Sequence, residues 1–183
     1  VKANPTLLGA DRVRAILTDD LGYADVSVPD QAFGHDLAWV DAVPMFHNLR
    51  RIARAHGLEF GVKLTNTLEV ETPRTVFTGD EMMYMSGRAL HAVTTNLAMQ
   101  VSEAFDGDLP TSFAGGADCF NVPDLLAAGM RGVTVCSDLL KSGGYLRLLQ
   151  YFETTNAALD RAEARDIPDL IARSAIAGDG FGE

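Results

Sequence analysis

Residues 109–140, LPTSFAGGADCFNVPDLLAAGMRGVTVCSDLL, constrain the chain most, because they read as strand, glycine-rich turn, helix, strand and helix start in succession. Strands linked by helices of this length pair in parallel through right-handed crossovers. The first strand, residues 111–114, runs into Gly115-Gly116. A glycine pair at a strand's C-terminal end lets backbone N–H groups approach an anion with no Cβ in the way. Residues 121–128 follow with apolar side chains at Val122, Leu125, Leu126 and Ala128. With Asn121 as N-cap, Pro123 in the first turn and Gly129 as stop, the spacing predicts a helix whose positive end faces the same spot. The second strand, residues 132–136, ends on Ser137-Asp138 and adds a hydroxyl and more N–H groups beside the glycine pair. In eight-stranded barrels the loops after the last two strands commonly form a phosphate site, and the order here matches. The alternative is that Gly115-Gly116 makes only a tight βα turn.

Further strand-like runs fall at residues 1–3, 25–28 and 60–64, and helical patterns at 10–19, 36–56, 86–105 and 144–165. The expected class is therefore α/β. A closed eight-stranded barrel takes about 250 residues, whereas this chain has 183 and five strand-like runs. The expected architecture is the C-terminal part of a (β/α)8 TIM barrel, a fragment of a larger protein, with a smaller open sheet as the alternative. The start VKANPT, without Met and already strand-like, points the same way. Residues 1–165 are expected to form the partial barrel and 166–183 a tail or linker, whose end, GDGFGE, should fray. Residues 68–80, with Pro73 and Gly79, read as the longest loop and a candidate lid.

The net charge of −10 argues against a nucleic-acid partner, since a phosphate backbone wants a basic face. No apolar run approaches the ~20 residues of a membrane span and no signal-peptide pattern is present, so a soluble cytoplasmic protein with no membrane partner is expected. Cys119 and Cys136 lack metal-type spacing, so no metal site is expected in this chain.

Two motifs share a shape: Lys2-Ala3-Asn4-Pro5-Thr6 and Lys63-Leu64-Thr65-Asn66-Thr67. Each sets a Lys within a strand and amide and hydroxyl groups at its C-terminal end, where α/β enzymes gather ligands. A Lys in an apolar strand needs a facing charge, either a ligand or a buried carboxylate. Asn66 and Thr67 offer donors and acceptors suited to a heterocyclic edge, although such residues also end strands for turn reasons. The run Tyr84 to His91 reads as a helix opening with Ser86 as cap, Gly87 permitting close approach and Arg88 able to pair with an anion or a protein carboxylate. His35, His47 and His56 read as surface residues, and His91 has no carboxylate or Cys companion in sequence with which to form a dyad. Lys141-Ser142-Gly143-Gly144-Tyr145 offers a second phosphate-compatible turn, or merely starts the last helix.

The words KANPTLLG, FGVKLTNT, EMMYMSGRALHAVT, SFAGGAD and TVCSDLLKSGGYLRL together resemble the flavin-binding barrel of the dihydroorotate and dihydropyrimidine dehydrogenase superfamily. Within it they are most similar to the barrel region of the large iron–sulfur flavoproteins labelled selenate reductases. The resemblance implies an FMN-dependent oxidoreductase acting on a small molecule, with iron–sulfur, FAD and NADPH chemistry in other redox domains of the same polypeptide. It implies flavin-ring contacts from Lys2 and Asn4, with Lys2 stabilising negative charge on the reduced ring. It further implies flavin or substrate contacts from Asn66 and Thr67, cofactor contacts from Ser86 and Gly87 at a helix start, and a phosphate held by Gly115, Gly116, Cys136 and Ser137. The superfamily's general acid or base would fall upstream of Val1, and neither Cys119 nor Cys136 matches it. The spacing from Lys2 to Asn66 is longer than in the dehydrogenases, and the run at 25–28 has no counterpart there. Two other functions are compatible with the residues: an aldolase-like phosphate-ester barrel with Lys63 as nucleophile, and a degenerate barrel that is a scaffold between redox domains.

Overall fold

The computed structural model describes residues 1–72 and 81–179, and for 177–179 only the backbone. In chain order its elements are β1 (Lys2–Ala3), α1 (Ala10–Ala15), α2 (Asp30–Gly34), α3 (Trp39–Ala55), β2 (Val62–Leu64), β3 (Leu68–Glu71), β4 (Met82–Met85), α4 (Leu90–Ala104), β5 (Thr111–Ala114), α5 (Val122–Ala127), β6 (Val133–Thr134), α6 (Leu148–Arg161) and α7 (Ile167–Asp179). Strands β1, β2, β5 and β6 form one sheet in that order, every pair parallel.

Side chains alternate across a sheet with period two, and here the alternation separates two chemistries. Ala3, Leu64, Phe113 and Val133 stand in register in one row. The first three are buried, and they face the helices that a parallel sheet needs as cover. Phe46 of α3 and Leu97 and Val101 of α4 pack with Ala3, Val62 and Leu64 into one core. Phe113 packs instead with Val122 and Leu125 of α5 and Tyr151 of α6. The intervening row is polar: Lys2 is opposite Lys63, and Lys63 opposite Ser112. This is the face that lines the interior of a closed barrel.

Several sequence expectations are corrected. Residues 25–28 form no strand. Their apolar side chains, Val26 and Val28, pack against α1 and the β3 region without a strand partner. Only the Ser27 carbonyl meets β3, accepting the Glu71 N–H at 2.9 Å. Arg14 fixes this stretch. Its guanidinium donates twice to the Val28 carbonyl, at 3.0 and 2.6 Å, and once to Asp30 at 2.6 Å, and lies 5.4 Å from the Phe33 ring centre. Arg14→Ala is expected to lower unfolding free energy by about 1–2 kcal/mol, read from urea midpoints, because a buried carbonyl loses its charged donor.

The expected loop at 68–80 begins as β3, which pairs antiparallel with β4, Leu68 opposite Met85 and Val70 opposite Met83. Leu68 and Val70 are buried, so LEVE is a half-buried strand of alternating polarity. Pro73 and Gly79 lie outside the described residues. Tyr84 and Met85 belong to β4, and Ser86 makes no capping bond; a 3-10 turn, Gly87–Ala89, leads into α4. Helix α1 continues through a π-helical turn, Ile16–Asp20, and α3 starts at Trp39. A 3-10 turn, Gly144–Arg147, precedes α6. Where a tail or linker is expected, α7 packs on α5 and buries Leu170. No described helix is long and apolar enough to cross a membrane.

Candidate functional site

The C-terminal ends of the parallel strands surround a cavity of about 580 Å³, within the roughly 300–1,000 Å³ of small-molecule sites. Each stretch singled out in the sequence reaches it from its own element. Lys2 comes from β1, and Asn66 and Thr67 follow β2. Ser86 and Gly87 follow β4, Gly115 and Gly116 follow β5, and Cys136 and Ser137 follow β6. Asn4 does not line the cavity and stands behind Asn66. Its Oδ1 accepts from Asn66 Nδ2 at 2.7 Å, while its own Nδ2 donates to Asp36 Oδ1 at 2.6 Å. Asp36 Oδ2 also accepts from Thr6 Oγ1 at 2.5 Å. Lys63 borders a different hollow, with Gly61, Ser112 and Arg131.

The glycine turn is built by close packing. A Cβ on Gly115 would collide with the Thr94 hydroxyl of α4, and one on Gly116 would lie 2.6 Å from the Gly87 carbonyl oxygen and 2.8 Å from Arg88 Cα. Gly116 has φ +70° and Gly87 φ +74°, a region L side chains rarely occupy. A Cβ on Gly87 would in turn stand 3.2 Å from that of Ser137. The turns after β4, β5 and β6 therefore press together at two glycines, Gly87 and Gly116, while Gly115 packs on α4. Among the described residues no protein acceptor takes the N–H of Gly116, whereas the parallel register of Ala114 with Thr134 sets the Gly115 N–H at the β6 backbone. The Gly116 amide remains available to a ligand.

Asn121 fastens this turn from below. It makes no side-chain capping bond at α5, contrary to expectation. Its Nδ2 donates to the Gly116 carbonyl at 3.0 Å and its Oδ1 accepts the Asp118 N–H at 2.9 Å. Helix α5 has six residues, which leaves little dipole to act at a distance. Asp118 is buried and bonded to Arg88, whose side chain is mostly exposed at the cavity. His91 stands 3.4 Å from the Asn121 amide, and its ring lies edge-on to Phe113 at 5.5 Å between centres. Burial pushes its pKa below the ordinary value, with Asp118 opposing. His35, His47 and His56 are exposed, as expected.

Beyond β6, Asp138 is buried and receives four hydrogen bonds. Oδ1 accepts from Lys141 Nζ at 2.9 Å and Arg147 Nη2 at 3.0 Å; Oδ2 accepts from Arg147 Nε at 3.1 Å and the Tyr151 hydroxyl at 2.7 Å. Burial pushes its carboxyl up, but these bonds outweigh it and hold the pKa well below the usual carboxylate range. Burial and the bond to Asp138 raise Tyr151 in turn. Within the expected second phosphate turn, Gly143 and Gly144 lead directly into the 3-10 turn before α6, while Lys141 points at the cavity rim. Sequence reading singled out neither Asp118 nor Asp138 for a role. The one sign it carried was a carboxylate immediately after each strand-end motif.

Parallel strands in this order, with helices on one face and a cavity at their C-terminal ends, define a domain of TIM-barrel type. The chain belongs to the family of the N-terminal TIM-barrel domain of the oxidoreductase YgfK, whose model matches residues 1–176. It is 47% identical over 148 residues to YgfK of Escherichia coli (strain K12), a match covering 81% of this chain and 14% of that protein. The chain thus spans about one seventh of the length of this curated relative. Among solved structures it is similar to ligand-free DHODH from Eimeria tenella, with TM-score 0.52 and 20% identity over 70% of this chain and 35% of that one. It is also similar to DHODH from the same organism in complex with ferulenol, with TM-score 0.51 and 17% identity over 92% of this chain and 50% of that one. These two structures bear on the fold alone.

Proposed function

We propose that this chain is part of the flavin-binding barrel of a multidomain, FMN-dependent oxidoreductase acting on a small molecule. The observation that carries the reading is the meeting, at one cavity, of the Gly115-Gly116 turn, with its free Gly116 N–H, and the Cys136-Ser137 end of the neighbouring strand. The residues present fit the group. Asp118 is answered by Arg88 and Asp138 by Arg147, so Lys2 and Lys141 leave the lining positive in a chain of net charge −10. FMN, when bound, supplies the redox chemistry, and the protein supplies position and electrostatics.

In this reading the Gly115-Gly116 turn, through the Gly116 N–H, and the Cys136-Ser137 strand end, with the Ser137 hydroxyl, hold the phosphate. Lys2 sets a cation at the opposite end of the lining, where it offsets negative charge. Asn66, held by Asn4, and Thr67 orient the ring or the substrate. Electrons pass to and from other domains of the same polypeptide. The scaffold alternative predicts a cavity that binds nothing, and the aldolase alternative needs Lys63, which borders a different hollow. The test is mass spectrometry of small molecules released on denaturing the full-length polypeptide. FMN, distinguished from FAD by mass, is expected near one per chain. Its absence, with no flavin absorbance in the intact protein, overturns the reading.

A further inference from the structure

We propose that Lys141 is the counter-ion of the bound phosphate, held beside the cavity by Asp138 until an anion arrives; this rests on the FMN reading above. Asp138 is a buried carboxylate whose partners differ in one respect. Its side chain is 3% exposed and that of Arg147 is 22% exposed, but that of Lys141 is 52% exposed and borders the cavity. Arg147 alone bonds both carboxylate oxygens, and Tyr151 adds a second donor to Oδ2. If Lys141 swings away, Oδ1 keeps Arg147 Nη2 and Oδ2 keeps both of its donors. The carboxylate therefore stays paired in charge and satisfied in hydrogen bonds. Neither Arg147 nor Tyr151 can leave so cheaply, because each is tied to the stem of α6 and less exposed.

The surplus charge lies where the Gly116 amide is. Lys141 follows the 3-10 turn Ser137–Leu140, whose first residue packs against Gly87, and Gly87 in turn packs against Gly116. An ammonium on a four-carbon stem is a mobile point charge, suited to a phosphate that the Gly116 amide already orients. Arg88 could not take this part, because the buried carboxylate of Asp118 depends on it. Asp138 is thereby a positioning residue and Lys141 a ligand-contacting one.

FMN and riboflavin differ at the phosphate, which isolates the role. The full-length polypeptide, stripped of flavin, is titrated with each by fluorescence quenching, as the parent and as Lys141→Gln and Lys141→Arg. Loss of one charge-assisted bond predicts FMN binding about 10- to 100-fold weaker in Lys141→Gln. Riboflavin affinity should stay within about twofold and Lys141→Arg should recover part of the loss. FMN affinity of the parent should also fall with added salt more steeply than that of Lys141→Gln. Equal weakening for both flavins, or FMN affinity unchanged, overturns the role of Lys141. A parent that binds no FMN overturns the flavin reading itself, a separate failure from the first. Riboflavin binding in the variants confirms a folded barrel, so a loss specific to FMN cannot come from unfolding.

Discussion

Asp138→Ala is expected to lower the unfolding free energy by about 3–5 kcal/mol, the cost of removing one member of a buried ion pair and leaving the others without it. Arg147 loses both of its contacts to the carboxylate, and the buried Tyr151 hydroxyl loses its acceptor. Asp138→Asn should fall between parent and alanine, because it keeps shape and an acceptor but not the charge. The effect depends on pH in a fixed direction. The folded-state pKa of Asp138 lies well below the ordinary value, and an unfolded Asp titrates near 3.9. The stabilisation is then present in full above that unfolded value and is lost as the pH falls below it. Urea denaturation at pH 7 and at a pH below about 3.9 should show the parent losing stability that Asp138→Ala never had. Equal midpoints for parent and variant at pH 7 would show that the carboxylate does not hold the last turns together.

Gly116→Ala is expected to be the next most damaging, at about 2–5 kcal/mol. Two causes add: an L side chain at φ +70°, and a Cβ forced against the Gly87 carbonyl and Arg88 Cα, both backbone. Gly129→Ala separates them. That residue has φ +87° and open space where its Cβ would go, so it suffers strain alone, about 1 kcal/mol. Gly115→Ala meets a side chain instead, the Thr94 hydroxyl, and should be partly relieved by Thr94→Ala. Denaturation midpoints for the three single variants and the double variant rank the causes. If Gly116→Ala is no worse than Gly129→Ala, the packed contact between the two turns is not real. Weaker ligand binding in a Gly116 variant would report this packing before it reported any lost contact with a phosphate.

The parts of the site that sequence alone revealed are those written in a few adjacent residues. Gly115-Gly116 after a strand, and Cys136-Ser137 after the next, are local patterns, and parallel order alone brings them side by side. The hairpin of β3 and β4 was hidden because its pairing spans the stretch with Pro73 and Gly79, which reads as loop. The run at 25–28 misled in the opposite way: its apolar residues are satisfied by α1 and Arg14, and no periodicity shows that a pairing strand is missing. The carboxylates were the least legible. Asp36 serves Asn4 and Thr6, 32 and 30 residues away, and no spacing rule connects them.

The line from Asp36 through Asn4 to Asn66 can run in only one sense. An ionised carboxylate has no hydrogen to give, so Asn4 must turn its amino group toward Asp36 and its oxygen toward Asn66. Asn66 must then spend one of its two N–H groups on Asn4, which leaves its oxygen and a single N–H. A molecule that meets Asn66 at the cavity finds one acceptor and at most one donor there, in an orientation set by a carboxylate two side chains removed.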